Sequence, residues 1–329
     1  MTKKIRIGLL SKKRGNYRLQ QKFVGEEIVK DDTSIEVAHH REALLEAGHE
    51  VKLIEWDSNF YNNIKKADVS LIFNVSSLVE AAILEELEIP FVGSGTTGIV
   101  LSADKSLAKR LWQQAKIPTS EFVVFHNMDE CQCFMDNPPI SYPLFVKPVA
   151  GRGSAGITSK SLVQNDLQLK IYVNTLLRTI GQPVIIERYL EGREITIGII
   201  GNSDHVRTLP PLEIINKNGD KFLTFDKKEI DNDKFICPAR INEVQKENLN
   251  DYAIKAFKIL GLRDYARIDT IFTPQGIMLL ESNAFAGLMC TPREKPHSYI
   301  GFMARAESKG GKEMIGEIVE VALERINHK

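Results

Sequence analysis

Apolar residues along the chain gather first in short runs, over residues 5–10, 51–56, 69–73 and 90–93. Between the first two, Ile35, Val37, Ala38, Leu44 and Leu45 recur at helical spacing and stop at Gly48, a residue suited to a helix C-terminus. A second helix is predicted over 80–87. Short strands alternating with helices predict a parallel sheet with right-handed crossovers. Residues 20–32 are extra length between the first strand and the first helix, and read as an insertion.

The pattern then changes. An amphipathic helix opens at Ser102-Ala-Asp-Lys105, runs to about residue 115 and is stopped by Ile117-Pro118. Strands follow over 121–125, 144–148 and 183–188, with a helix over 164–180 before the last of these. Residues 195–200 and 205–215 read as paired strands, 242–260 as a helix and 311–328 as a terminal helix. This half is predicted to be α+β with antiparallel sheets.

One stretch, residues 265–283, organises the rest. Two apolar, β-branched runs flank Pro274-Gln275-Gly276, so the stretch reads as a β-hairpin. A three-residue loop pairing Thr273 with Ile277 sets Asp269 opposite Glu281 and Arg267 opposite Asn283, on one face. One cation, two carboxylates and an amide oxygen would meet there. Hard oxygen ligands suit Mg²⁺ or Mn²⁺; a solvated sheet face with an Arg–Asp pair accounts for the stretch equally well. Slipping the register by one residue would put Leu280 opposite Asp269.

Composition narrows the classes. The 43 basic and 43 acidic residues cancel, which removes a global electrostatic reason for nucleic acid or a membrane surface as partner. No apolar run reaches the roughly 18 residues of a membrane span, and the N-terminus leads straight into a strand, so the expected location is cytoplasmic. Cys131, Cys133, Cys237 and Cys290 are too few and scattered for a disulfide framework and read as buried or half-buried thiols. His39 and His40 are expected on a helix surface.

Two segments match G-x-G-x-x-G, residues 93–98 and 151–156. The first follows the fourth strand, whereas a dinucleotide fingerprint belongs to the first βα turn. The second is preceded by Phe145-Val-Lys147-Pro and opens no helix. A strand-borne lysine before a small-residue loop fits a flap whose backbone N–H groups cap phosphate oxygens; a surface hairpin is the plainer alternative.

In order, Lys105, Lys147-Pro with its glycine loop, Glu187-Arg-Tyr-Leu-Glu-Gly-Arg-Glu194, Cys237-Pro-Ala, Arg267-x-Asp269 and Glu281-x-Asn283 resemble the ATP-grasp superfamily, and within it the D-alanine–D-alanine ligase family. The resemblance covers nearly all the chain. It implies an α/β ATP-grasp fold: an N-terminal parallel α/β (preATP-grasp) domain over 1–101, a central subdomain with the glycine-rich flap over 102–188 and a C-terminal subdomain with the metal site over 189–329. It implies ATP and two Mg²⁺ ions, with Mn²⁺ as a substitute, small amino-acid or carboxylic-acid substrates and a homodimer.

Site roles follow from the same resemblance. Lys105 and Lys147, with Gly153 and Ser154 of the loop, would bind phosphates. Glu187 and Leu190 would meet the adenine and Glu194 the ribose. Asp269, Glu281 and Asn283 would hold the metal, Arg267 and the Gly287 N–H would stabilise the transition state, and Lys227 belongs to a closing loop. The implied activity is carboxylate–amine ligation through an acyl phosphate. A non-catalytic ATP-binding regulatory module and acyl transfer to a carrier-protein thiol are the alternatives.

The amino-acid half of the family pattern is altered. Gly153 stands where the first of two paired serines is expected, Lys228 where a tyrosine is expected, and Pro292 where a serine would hold the acceptor carboxylate. Asn283-Ala-Phe-Ala-Gly-Leu-Met replaces Asn-Thr-x-Pro-Gly-Met-Thr. Glu36 is the candidate grip for a donor ammonium, and Arg293 or Lys228 for an anionic acceptor.

Overall fold

Three β-sheets follow one another along the chain in the computed structural model, which describes residues 4–12, 32–151, 156–215, 234–290 and 296–327. The first sheet is parallel, in the order β2 (Glu50–Trp56), β1 (Arg6–Lys12), β3 (Leu71–Phe73). Helices α1 (Asp32–Glu46) and α3 (Leu78–Glu86) fall where predicted, and α2 (Phe60–Lys65), between β2 and β3, is an addition that the pattern did not show. All but the last residue of the 20–32 insertion lies outside the described residues. The expected fourth strand is reduced to one bridge, Ile72 with Phe91. Its next N–H, on Gly93, donates to the buried Asp264 carboxylate at 2.7 Å instead of extending a ladder.

Helix α4 (Thr96–Ala103) was not legible in the pattern; α5 (Lys105–Gln114) was, and Asp104 caps it by accepting from the N–H groups of Ser106 and Leu107. The second sheet is antiparallel, in the order β4 (Phe122–Phe125), β7 (Val184–Arg188), β5 (Leu144–Pro148), β6 (Leu162–Val163). Helices α6 (Met128–Asp136) and α7 (Asp166–Ile180) cover one face. The third sheet contains β8 (Arg193–Asn202), β9 (His205–Thr208), β10 (Leu212–Ile215), β11 (Lys234–Ile236), β12 (Asp264–Thr273) and β13 (Gly276–Asn283). The single strand expected over 205–215 is broken between β9 and β10, where Pro210 and Pro211 supply no N–H.

Helix α8 (Glu243–Ile259) buries Leu249, Ala253, Ala256 and Phe257 against Ile195, Ile197, Ile199, Ala266 and Ile268 of the third sheet. Of the alternate side chains of β8 and β12, Glu194, Thr196, Arg267 and Asp269 line a cavity, while Ile200 and Tyr265 join a second core cluster. Short α9 (Tyr299–Ala306) and terminal α10 (Gly311–Asn327) follow, and α10 packs on α1 and β8. Asp264, fully buried, joins these parts: Arg325 of α10 donates to both its oxygens at 2.8 Å, and Asn202 of β8 donates to Oδ1 at 3.0 Å.

Two surface expectations are corrected. His40 is 2% exposed and meets Phe73 edge to face at 5.2 Å, because its turn of α1 rests on β3. Cys133 is exposed, whereas Cys131 and Cys290 are buried and Cys237 half-buried. Burial, and then the charge of His39, hold the His40 imidazole down at about 4. Unfolded, it would bind a proton near 6.5, so stability should be full above pH 6.5 and fall as pH drops toward 4. Between pH 7.5 and 5 the expected loss from this residue is about 2 kcal/mol. Urea unfolding at both pH values should show it, and His40→Leu should remove that part of the pH dependence.

Candidate active site

The hairpin of β12 and β13 supplies the floor of the site. Its turn is one residue shorter than expected: Thr273 pairs with Gly276, not Ile277. Unbroken, that register would bring Leu280 opposite Asp269. A bulge at Leu280 absorbs the extra residue, and the expected rungs reappear, Asp269 with Glu281 and Arg267 with Asn283. The bulge adjoins backbone held from outside the sheet. Leu279 N–H donates to Pro118 O at 2.8 Å, and Leu279 O accepts from Thr119 Oγ1 at 2.7 Å.

Asp269 is the most heavily bonded carboxylate of the floor. Arg267 donates to both its oxygens, Nε at 2.8 Å and Nη2 at 2.9 Å, while Thr196 Oγ1 donates at 2.5 Å and Asn283 Nδ2 at 2.9 Å. The guanidinium also lies 4.9 Å from the Tyr299 ring centroid. Burial alone would lower the Arg267 pKa, but Asp269 outweighs it and the net shift is upward. Across the rung, Glu281 Oε2 is 3.7 Å from Lys105 Nζ, which also donates to Gly151 O at 3.4 Å. Burial pulls the Lys105 pKa down, against the attraction of Glu281.

The opposite wall comes from the second sheet. Lys147 on β5 and Glu187 on β7 are both buried and form an ion pair at 2.6 Å. The other Glu187 oxygen meets Lys109 Nζ at 2.7 Å. Burial opposes the Glu187 charge, yet the two lysines prevail and hold its carboxyl at about 2. Between β7 and β8 the chain crosses from one sheet to the next through residues 189–192. A Cβ at Gly192 would lie 2.2 Å from Phe272 O, so the crossing needs glycine to press against β12.

One cavity joins the two walls. It is lined by Lys147, Glu187, Leu190 and Glu194 together with Arg267, Asp269 and Glu281, and by apolar groups including Phe145, Ile157, Tyr189, Ile271 and Leu280. Lys105 and Asn283 reach it through Glu281 and Asp269. Gly287 lies against Ser298, beyond the lining, and Glu36 sits on α1 with a carboxylate oxygen 3.9 Å from His40 Nε2. Gly153, Ser154, Lys227, Lys228, Pro292 and Arg293 lie outside the described residues. Sequence reading missed Thr196, Tyr299 and Lys109. Lys109 carried a signal: it stands one helical turn after Lys105, on the face that buries Ala108 and Trp112.

The floor has the donors a hard divalent cation requires. Asp269, Glu281 and Asn283 offer carboxylate and amide oxygens on one face. Among the described residues no three His, Cys, Asp or Glu side chains converge, and this set accordingly has only two carboxylates. Arg267 supplies the positive charge beside Asp269. A cation at Asp269 would exchange with at least one of the hydrogen bonds it accepts.

Known proteins resemble this chain in sequence and fold. Residues 111–300 match the family model described as D-ala D-ala ligase C-terminus. A D-alanine–D-alanine ligase of Desulfotalea psychrophila is 32% identical over 253 residues, 75% of this chain and 74% of the relative. The crystal structure of D-alanine–D-alanine ligase from Bacillus anthracis complexed with ATP superposes with a TM-score of 0.73 at 20% identity, covering 98% of this chain and 99% of that one. The VanG D-Ala:D-Ser ligase from Enterococcus faecalis has the same fold, with a TM-score of 0.73, 20% identity and coverage of 97% and 99%.

Proposed function

Because this chain belongs to the D-alanine–D-alanine ligase family and has the ATP-grasp fold, we propose that it is an ATP-dependent carboxylate–amine ligase whose substrates differ from two D-alanines. The cavity between the second and third sheets carries this reading. It gathers Lys147 and Glu187 from the second sheet, Leu190 from the crossing between the sheets, and Glu194, Arg267, Asp269 and Glu281 from the third. Ring contacts support a place for a flat base, since Phe145 and Tyr189 lie in near-parallel planes with centroids 6.5 Å apart.

The reaction joins a carboxylate to an amine, which requires activation because a carboxylate is a poor electrophile. Transfer of the γ-phosphoryl group of ATP to a carboxylate oxygen gives an acyl phosphate and ADP. The amine then attacks the acyl carbon, phosphate leaves and the amine loses a proton. Two anions must approach in the first step. Lys105 and Lys147 would bind and orient the phosphates, and Arg267 would face the charge that develops during transfer. Asp269, Glu281 and Asn283 would hold Mg²⁺, which neutralises phosphate charge when bound. Glu194 would orient the nucleotide through the ribose, and the cavity's apolar lining would keep water from the acyl phosphate.

Altered specificity is supported by the segment after β13. Ala284, Ala286 and Leu288 are each buried, packed into the core where the family's pattern has threonine, proline and methionine. The hydroxyl that a threonine would offer is therefore missing at Ala284. Phosphate release from ATP, assayed across a panel of amino acids with product mass spectrometry, should show an amine-dependent signal with a pair other than D-alanine alone. D-alanine-dependent release with a D-alanyl-D-alanine product would sink the altered-substrate reading, and ATP binding without turnover on any amine would sink ligation.

A further inference from the structure

Lys109 is buried completely without lining the cavity. It is 0% exposed, and all three of its N–H groups have partners: Thr119 Oγ1 at 2.6 Å, Ser120 Oγ at 2.9 Å and Glu187 Oε1 at 2.7 Å. Burying an ammonium costs far more than these bonds return unless its position is needed. An apolar residue at this point of α5 would pack beside Ala108 and Trp112 without that cost.

Two consequences of its placement meet at the site. Glu187 lies between two lysines, Lys109 at 2.7 Å and Lys147 at 2.6 Å, so one carboxylate is shared by two ammonium groups. The trio carries a net positive charge, and its only member besides Glu187 to line the cavity is Lys147. A simple Lys147–Glu187 pair would be neutral and would offer little to an anion. Lys109 also holds Thr119, whose hydroxyl donates to Leu279 O next to the bulge that sets Glu281 on its rung.

We propose that Lys109 is a positioning residue for nucleotide phosphates: by sharing Glu187 it leaves Lys147 with uncompensated positive charge at the cavity wall, while Thr119 ties the same ammonium to the strand that presents Glu281. This rests on the ATP-binding reading above. Its chemical signature is selective. Loss of Lys109 should weaken binding of a polyphosphate and spare binding of a nucleoside that has no phosphate.

The test measures dissociation constants of the full chain for ATP and for adenosine by calorimetry, with Lys109→Met, Lys109→Gln and the double variant Lys109→Met with Glu187→Gln. The readout is the ratio of adenosine to ATP dissociation constants, which a general loosening of the site would not move. Each single variant should lower that ratio about tenfold or more. The double variant removes one positive and one negative charge together and should return the ratio to within about threefold of the unmodified chain. An unchanged ratio in a folded single variant would overturn the proposal. Should neither single variant fold, the double variant decides, and a ratio still depressed about tenfold would overturn it. Absence of ATP binding to the unmodified chain would instead refute the ATP-binding reading itself.

Discussion

Glu281→Gln should lower turnover by about a thousandfold or more while the protein melts almost unchanged. The amide keeps the shape of the side chain and removes its charge. Glu281 is 31% exposed at the cavity wall, and its one described ion pair, to Lys105, is 3.7 Å long. A partly exposed pair of that length contributes at most about 1 kcal/mol to stability. Its catalytic weight is different in kind. Asp269 already accepts four hydrogen bonds, whereas Glu281, directly opposite, is engaged by the long Lys105 pair and can turn its charge on a cation. Phosphate release at saturating ATP, beside a thermal melt, separates the two effects. Near-normal turnover would mean that Glu281 is not a metal ligand, and a large drop in melting temperature would mean that its role is structural.

The hairpin was legible because alternation, Pro274 and Gly276 all point the same way. Its register was reached in the sequence through a turn of the wrong length, and the bulge at Leu280 restored it. A bulge held by Pro118 and Thr119, some 160 residues away in the chain, leaves no local trace. The fourth strand failed for a similar reason, since Gly93 N–H is claimed by Asp264, 171 residues further along the chain. Helix α4 follows an N-cap, Gly95, that has no side chain to cap it, contains Gly98 and β-branched residues and so has weak propensity; a Cβ at Gly98 would lie 2.7 Å from Gly261 O, which shows that close packing holds it. His40 and Lys109 are polar residues on apolar helix faces. Periodicity marks those faces but cannot tell a buried imidazole or ammonium from one at the surface. What sequence could read well was the set of oxygen and nitrogen groups that meet across strands, because strand alternation fixes the face.

Arg267→Met should separate cation binding from turnover in opposite directions. In the structure Arg267 occupies both oxygens of Asp269, with its guanidinium stacked 4.9 Å from Tyr299. Its positive charge relieves the repulsion between Asp269 and Glu281, which face each other on one rung. Methionine keeps much of the buried stem and removes that charge. The two carboxylates then attract a replacement cation more strongly, and neither oxygen of Asp269 has an Arg267 hydrogen bond to give up. Mn²⁺ bound without nucleotide, followed by electron paramagnetic resonance near neutral pH, should tighten several-fold. Turnover should nevertheless fall about a hundredfold to a thousandfold, because in the proposed reaction the fixed donor facing the transferring phosphoryl group would be gone. Weaker or unchanged Mn²⁺ binding would remove Asp269 and Glu281 from the cation site. Unchanged turnover would leave Arg267 as the ordinary partner of a sheet carboxylate, the plainer reading that the hairpin sequence allows by itself.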